Sequence, residues 1–87
     1  MIELNRQGMK THELKILPEY FNELWAGTKR FELRKDDREY QILDEVKLME
    51  WNGKEYTGAS IGFTINYVLR DVPHFGLKEG YVILGLQ

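Results

Sequence analysis

The sequence predicts a mainly β, α+β fold: a small barrel of antiparallel or mixed strands with one short helix. Three observations predict it. Alternation of apolar and polar residues with period two returns in successive segments from Thr11 onward. A single stretch at helical spacing is bracketed by Pro18 and Gly27. With 87 residues and no cysteine, the chain buries only about 60% of its unfolded surface, in one thin core that no disulfide supports. Residues 1–10 read as an N-terminal tail and 11–87 as a single domain; Met9 is a candidate natural start, because structure-like patterning begins only after it.

The first strand is Thr11 to Leu17, with His12, Leu14 and Ile16 on one face and Glu13 and Lys15 on the other. Pro18 suits the first position of a helix, where its missing N–H costs nothing. Phe21, Leu24 and Trp25 follow at helical spacing with Tyr20 beside them, and Gly27 is a left-handed cap. All four aromatic or apolar side chains are expected in the core. From Arg30 to Arg34 alternation resumes, Phe31 and Leu33 on the apolar side and Arg30, Glu32 and Arg34 on the polar side. A charged loop, Lys35 to Glu39, comes next.

Asp44 and Glu45 lead into a strand from Val46 to Trp51, and Asn52-Gly53 is the dipeptide most favoured in tight hairpins. The chain returns through Lys54 to Thr57. Trp51 and Tyr56 flank the turn and read as a cross-strand pair, the alternative being that either lines a ligand cleft. The longest strand alternates Ala59, Ile61, Phe63, Ile65, Tyr67 and Leu69 with smaller or polar residues, two of them the glycines Gly58 and Gly62, which permit a bulge or sharp coiling. After a loop from Asp71 to Gly80, Tyr81 to Leu86 is apolar on both faces and therefore central or closing.

Twelve basic side chains stand against fourteen acidic ones, a formal charge of −2. Coating nucleic acid by bulk electrostatics is thereby disfavoured, since that needs many phosphate-neutralising cations; a local basic pocket is not. No apolar run approaches the ~20 residues of a spanning helix, and the first ten residues lack the apolar centre of a signal peptide. A cytoplasmic monomer without membrane contact is expected.

Gly58-Ala59-Ser60-Ile61-Gly62 fits G-x-S-x-G, with Asp71 and His74 following in hydrolase order. A nucleophile elbow, however, needs strand, strained turn and helix, whereas the β-branched alternation from Phe63 to Val68 puts Ser60 inside a strand. His12, on the apolar face of its strand, reads as a core or rim histidine hydrogen-bonded to a neighbour and His74 as solvated, so they form no ligand pair, and Asp36-Asp37 is neutralised by Arg34, Lys35 and Arg38. No metal and no cofactor are expected. The densest polar information is Gly27 to Glu39, where Glu32 and Arg34 share a strand face and Lys29 stands at its entrance. A carboxylate between cations is a fixed acceptor for N–H groups, and the cations can hold a phosphate. That combination suits a nucleobase with its phosphate better than an apolar ligand.

Gly27-x-Lys29-x-x-Glu32-x-Arg34 resembles the G-x-K-x-x-E-x-R signature of the ASCH (activating signal cointegrator homology) domains of the PUA-like superfamily. With the flanking segments Thr11 to Lys15, Phe31 to Arg38 and Gly76 to Gly85, the chain resembles a small bacterial and phage branch of unknown function, over about residues 11 to 86. The resemblance implies a PUA-like β-barrel whose cleft is lined by the signature residues Lys29, Glu32 and Arg34 and binds RNA or a modified nucleotide; His12, Lys15 and Arg38 are candidates for its rim. In this picture Glu32 accepts hydrogen bonds from a base edge while Lys29 and Arg34 hold phosphate or orient Glu32. Some small ASCH relatives are amidohydrolases that deacylate a modified cytidine with a lysine at the position of Lys29 and a threonine nucleophile three residues later. Glu32 occupies that position here and cannot replace a hydroxyl in acyl transfer, so no enzymatic activity is expected. The alternatives are an amidohydrolase acting on an acylated nucleoside such as acetylcytidine, with Lys29 and Glu32 as its acid–base pair, and a protein-interaction module working through Lys35 to Glu39.

Overall fold

The computed structural model describes residues 9–87. The expected tail falls largely on residues 1–8, outside the described residues. Lys10 already belongs to the domain: its N–H donates to Asp44 Oδ1 at 3.1 Å and its carbonyl accepts the Glu45 N–H at 2.8 Å.

The elements follow the expected order: β1 (Thr11–Ile16), α1 (Pro18–Ala26), β2 (Phe31–Lys35), β3 (Glu45–Trp51), β4 (Tyr56–Leu69) and β5 (Tyr81–Leu86). Pro18 opens α1 and Gly27, at φ 88°, ends it in the left-handed region. The guanidinium of Arg30 finishes the cap, donating to the Leu24 carbonyl at 2.7 Å, where a cation also complements the helix dipole. Only Phe21 and Leu24 of α1 are buried. Tyr20 and Trp25, expected in the core, are 44% and 69% exposed. A helix of nine residues presents one narrow stripe to a sheet, and these two lie on its flanks.

The strands form one mixed sheet in the order β1-β3-β4-β5-β2, parallel between β1 and β3 and antiparallel elsewhere. The expected barrel is not closed, for among the described residues β1 and β2 are the two edges of the sheet. Their approach is bridged by side chains instead. Arg34 of β2 donates to the Lys15 carbonyl of β1 at 2.6 Å, and Arg38 donates to the Glu13 carbonyl at 3.2 Å. Strands in a ladder lie about 4.8 Å apart, which would leave no room for the guanidinium groups that stand between these edges.

β4 serves both halves of the sheet, pairing β3 with its first part and β5 with its last. The register shifts between Ile65 and Tyr67. Past this bulge the alternation flips, so Val68 packs on the core while Tyr67, expected inward, is 59% exposed. The bulge therefore sits at Asn66, away from Gly58 and Gly62. Gly85 lies opposite, where an added Cβ would come within 2.6 Å of Asn66 Oδ1; only a glycine fits there without rearrangement. Ser60 pairs with Met49 inside β4, so the G-x-S-x-G match forms no elbow. At the hairpin Trp51 pairs with Tyr56 as expected, although the turn spans four residues, with the Asn52 side chain accepting the N–H groups of Lys54 and Glu55.

β2 contradicts its expected orientation. Glu32 faces inward at 6% exposure, opposite the fully buried Leu84, while Phe31 and Leu33 are 48% and 55% exposed. An edge strand has neighbours on one side only, and here the inner face meets the cations Lys29 and Arg34, which satisfy the carboxylate where it is buried. The loop after β2 also departs from expectation: it carries Tyr40 and Asp44 into the interior, at 1% and 2% exposure. Arg70 secures the loop by a fork to Asp36 and a hydrogen bond to the Tyr40 carbonyl at 3.1 Å.

Candidate functional site

A cleft of about 650 Å³ opens between the free edges of β1 and β2 and the start of α1. Its floor is Glu32. One oxygen, Oε1, accepts from the Lys29 ammonium; the other, Oε2, accepts from Arg34 Nε at 2.9 Å and lies 2.8 Å from Arg34 Nη2. The cations have second partners: Lys29 donates to the Phe31 carbonyl at 2.7 Å and Arg34 to the Lys15 carbonyl. Helix end, strand and opposite edge are thus tied into one network. The spacing that builds it is local, since the turn after Gly27 delivers Lys29 three residues before Glu32, and Arg34 follows on the same strand face.

The side chains around the opening are strongly biased in charge. Lys15, Lys29, Arg34, Lys35 and Arg38 border it against the two carboxylates Glu32 and Asp37, in a chain whose net charge is −2. Aromatic surface accompanies the charge. The Lys29 ammonium lies 4.9 Å from the centre of the Phe31 ring and 5.6 Å from that of Tyr20, both half-exposed at the cleft. Tyr40 closes the deep end. Burial raises its phenol above the ordinary value, and the positive charges of Arg38 and Arg34 pull it partly back.

Lys29, Glu32 and Arg34 are therefore brought together, with Lys15 and Arg38 at the rim of the same cleft. His12 is not at the rim. It is 6% exposed on the inner face of β1, with its Nε2 2.8 Å from Asp44 Oδ2 and its ring 4.7 Å from that of Tyr40. Asp44 also accepts the backbone N–H groups of Lys10 and Gln41. Burial pushes its carboxyl up, but the hydrogen bonds from His12, Lys10 and Gln41 together outweigh that and hold it below the usual value. Thr28, the hydroxyl next to Lys29, donates to the Glu23 carbonyl at 3.2 Å and does not border the cleft. Among the described residues no group of three or more His, Cys, Asp or Glu side chains is placed to hold a metal ion. None of their helices is long and apolar enough to cross a membrane.

The cleft residues all lie within residues 11–86, the span matched by the family described as a domain of unknown function, DUF3850. The chain belongs to this family. The chain is also similar to a protein of Escherichia phage P2: an uncharacterized 12.9 kDa protein in the GpA 3′ region is 40% identical over 75 residues, covering 86% of this chain. The match spans 66% of the phage protein's own length. Within the DUF3850 domain, sequence reasoning missed two contributors to the cleft, Tyr20 and Phe31, because apolar side chains at regular spacing read as core. It also missed Asp44 as a buried anchor, for nothing local marks a residue two of whose three partners, Lys10 and His12, lie more than thirty positions away.

Proposed function

We propose that the domain binds RNA or a nucleotide in the cleft between β1 and β2 without turning it over, and that it belongs with the ASCH domains of the PUA-like superfamily. The observation that carries the reading is the opening of five cations against two carboxylates, with two exposed aromatic rings beside it, in an otherwise acidic chain. Phosphate meets the cations and a base stacks on Phe31 or Tyr20. Both Glu32 oxygens are occupied by Lys29 and Arg34, so in this reading Glu32 holds the two cations in place and the ligand meets their remaining N–H groups. Thr28, the hydroxyl beside Lys29, is turned to the Glu23 carbonyl and does not border the cleft, which favours binding over deacylation. We take the domain to act as a cytosolic monomer without a cofactor.

Calorimetric titration of nucleotides and short single-stranded RNA into the wild type and the Phe31→Ala, Arg38→Ala double variant tests this. Both side chains border the cleft without touching Glu32, so the variant is expected to lose binding at least tenfold with little change in melting temperature, and wild-type affinity is expected to fall as salt rises. Affinity equal in the two proteins would refute the reading.

A further inference from the structure

Lys15 belongs to two places at once. It borders the cleft, and its ammonium stands 4.1 Å from the centre of the Trp51 ring and 5.9 Å from that of Tyr56. Those two rings meet edge to face, centres 4.9 Å apart, at the end of the β3–β4 hairpin. Tyr56 is 47% exposed and Trp51 partly so. A cross-strand aromatic pair contributes to hairpin stability by itself, but it does not require a lysine drawn over it from a neighbouring strand. The Glu50 carboxylate of the same hairpin is engaged by the Thr57 hydroxyl at 2.7 Å. Among the described residues the Lys15 charge is thus met by a ring face and not by an acid, and it stays available to an anion.

We propose that the Trp51–Tyr56 pair is a second base-stacking subsite, continuous with the cleft through Lys15, and that the ligand is a single-stranded oligonucleotide of at least two nucleotides. One base stacks beside Phe31 and Tyr20, the next stacks on Trp51 or Tyr56, and Lys15 meets the phosphate that joins them. This inference rests on the cleft reading above. Its chemistry is that of strand-tracking proteins, in which a cation follows the backbone and rings receive successive bases. Such a strand is also compatible with the chain's net negative charge, because only a short stretch of phosphates needs neutralising.

The test uses a Trp25→Phe background, which leaves Trp51 the sole tryptophan, and compares a mononucleotide with di- and tetranucleotides of RNA and of DNA. The oligonucleotides are expected to bind about tenfold or more tightly than the mononucleotide, consistent with one added stacking contact, and to quench Trp51 where the mononucleotide does not. Tyr56→Ala, at an exposed side chain that does not border the cleft, should remove most of that gain and leave mononucleotide affinity in place. Equal affinity for mono- and oligonucleotides, with Trp51 unquenched, would overturn the second subsite and leave the cleft standing. Binding of neither class would remove the cleft reading and the subsite with it.

Discussion

Two carboxylates in this domain are buried almost equally, Asp44 at 2% and Glu32 at 6% exposure, and their surroundings differ in every other respect. Asp44 is held by one ring and two backbone N–H groups, from residues that include partners thirty-two and thirty-four positions away, and it does not border the cleft. Glu32 is held by two side-chain cations within three residues of itself, and it is the floor of the cleft. A carboxylate satisfied largely by fixed backbone donors closes a loop onto the core; the one satisfied by side-chain cations holds those cations at the border of an open cleft.

The largest expected effect follows from the sealed cluster. Asp44→Ala leaves the Lys10 and Gln41 N–H groups and His12 without their acceptor and should cost about 3 kcal/mol in denaturant unfolding. Asp44 also gives a pH signature. Its carboxyl is held below the ordinary value in the folded protein, so its contribution is complete above the unfolded-state value and is lost as the pH falls through the lowered one. Urea midpoints of wild type and Asp44→Asn should therefore converge in strong acid, and a gap that widened there would contradict the assignment.

Glu32→Gln should cost less, about 1–2 kcal/mol, because Lys29 and Arg34 keep backbone carbonyl partners and are themselves 12% and 23% exposed in their side chains. Ligand affinity should fall more than stability does. A stability loss exceeding that of Asp44→Ala would erase the distinction between the two clusters. Arg34→Lys keeps the charge but loses the fork that touches Glu32 and the Lys15 carbonyl together, at a cost of about 1 kcal/mol; an unchanged melting temperature would show that the bridge between β1 and β2 does not contribute. Trp25→Ala, at a ring 69% exposed, should change stability by no more than about 0.5 kcal/mol and leave ligand binding alone, which gives the baseline for the rest.

Much of this was legible in the chain. Pro18 and Gly27 bracket the helix, Asn52-Gly53 marks the hairpin and Gly27-x-Lys29-x-x-Glu32-x-Arg34 assembles the cleft floor, because each of these depends on contacts a few residues long. Reading failed where a face had to be chosen. In β2 and after the Asn66 bulge the alternation is real, but which set points inward is decided by what lies on either side. Phe31 and Leu33 turn outward because Glu32 finds its cations inside, and Tyr67 turns outward because one bulged residue reverses the phase.

The sequence by itself determined the order of the helix and the strands and the local cluster of Lys29, Glu32 and Arg34, since turn chemistry, periodicity and short spacings act within one stretch of chain. Only the tertiary structure decided that the sheet stays open, that His12 is sealed against Asp44 and that the exposed rings gather at the cleft. Those outcomes depend on distances between residues far apart in the chain, and there a guanidinium standing between two strand edges settles what alternation alone leaves open.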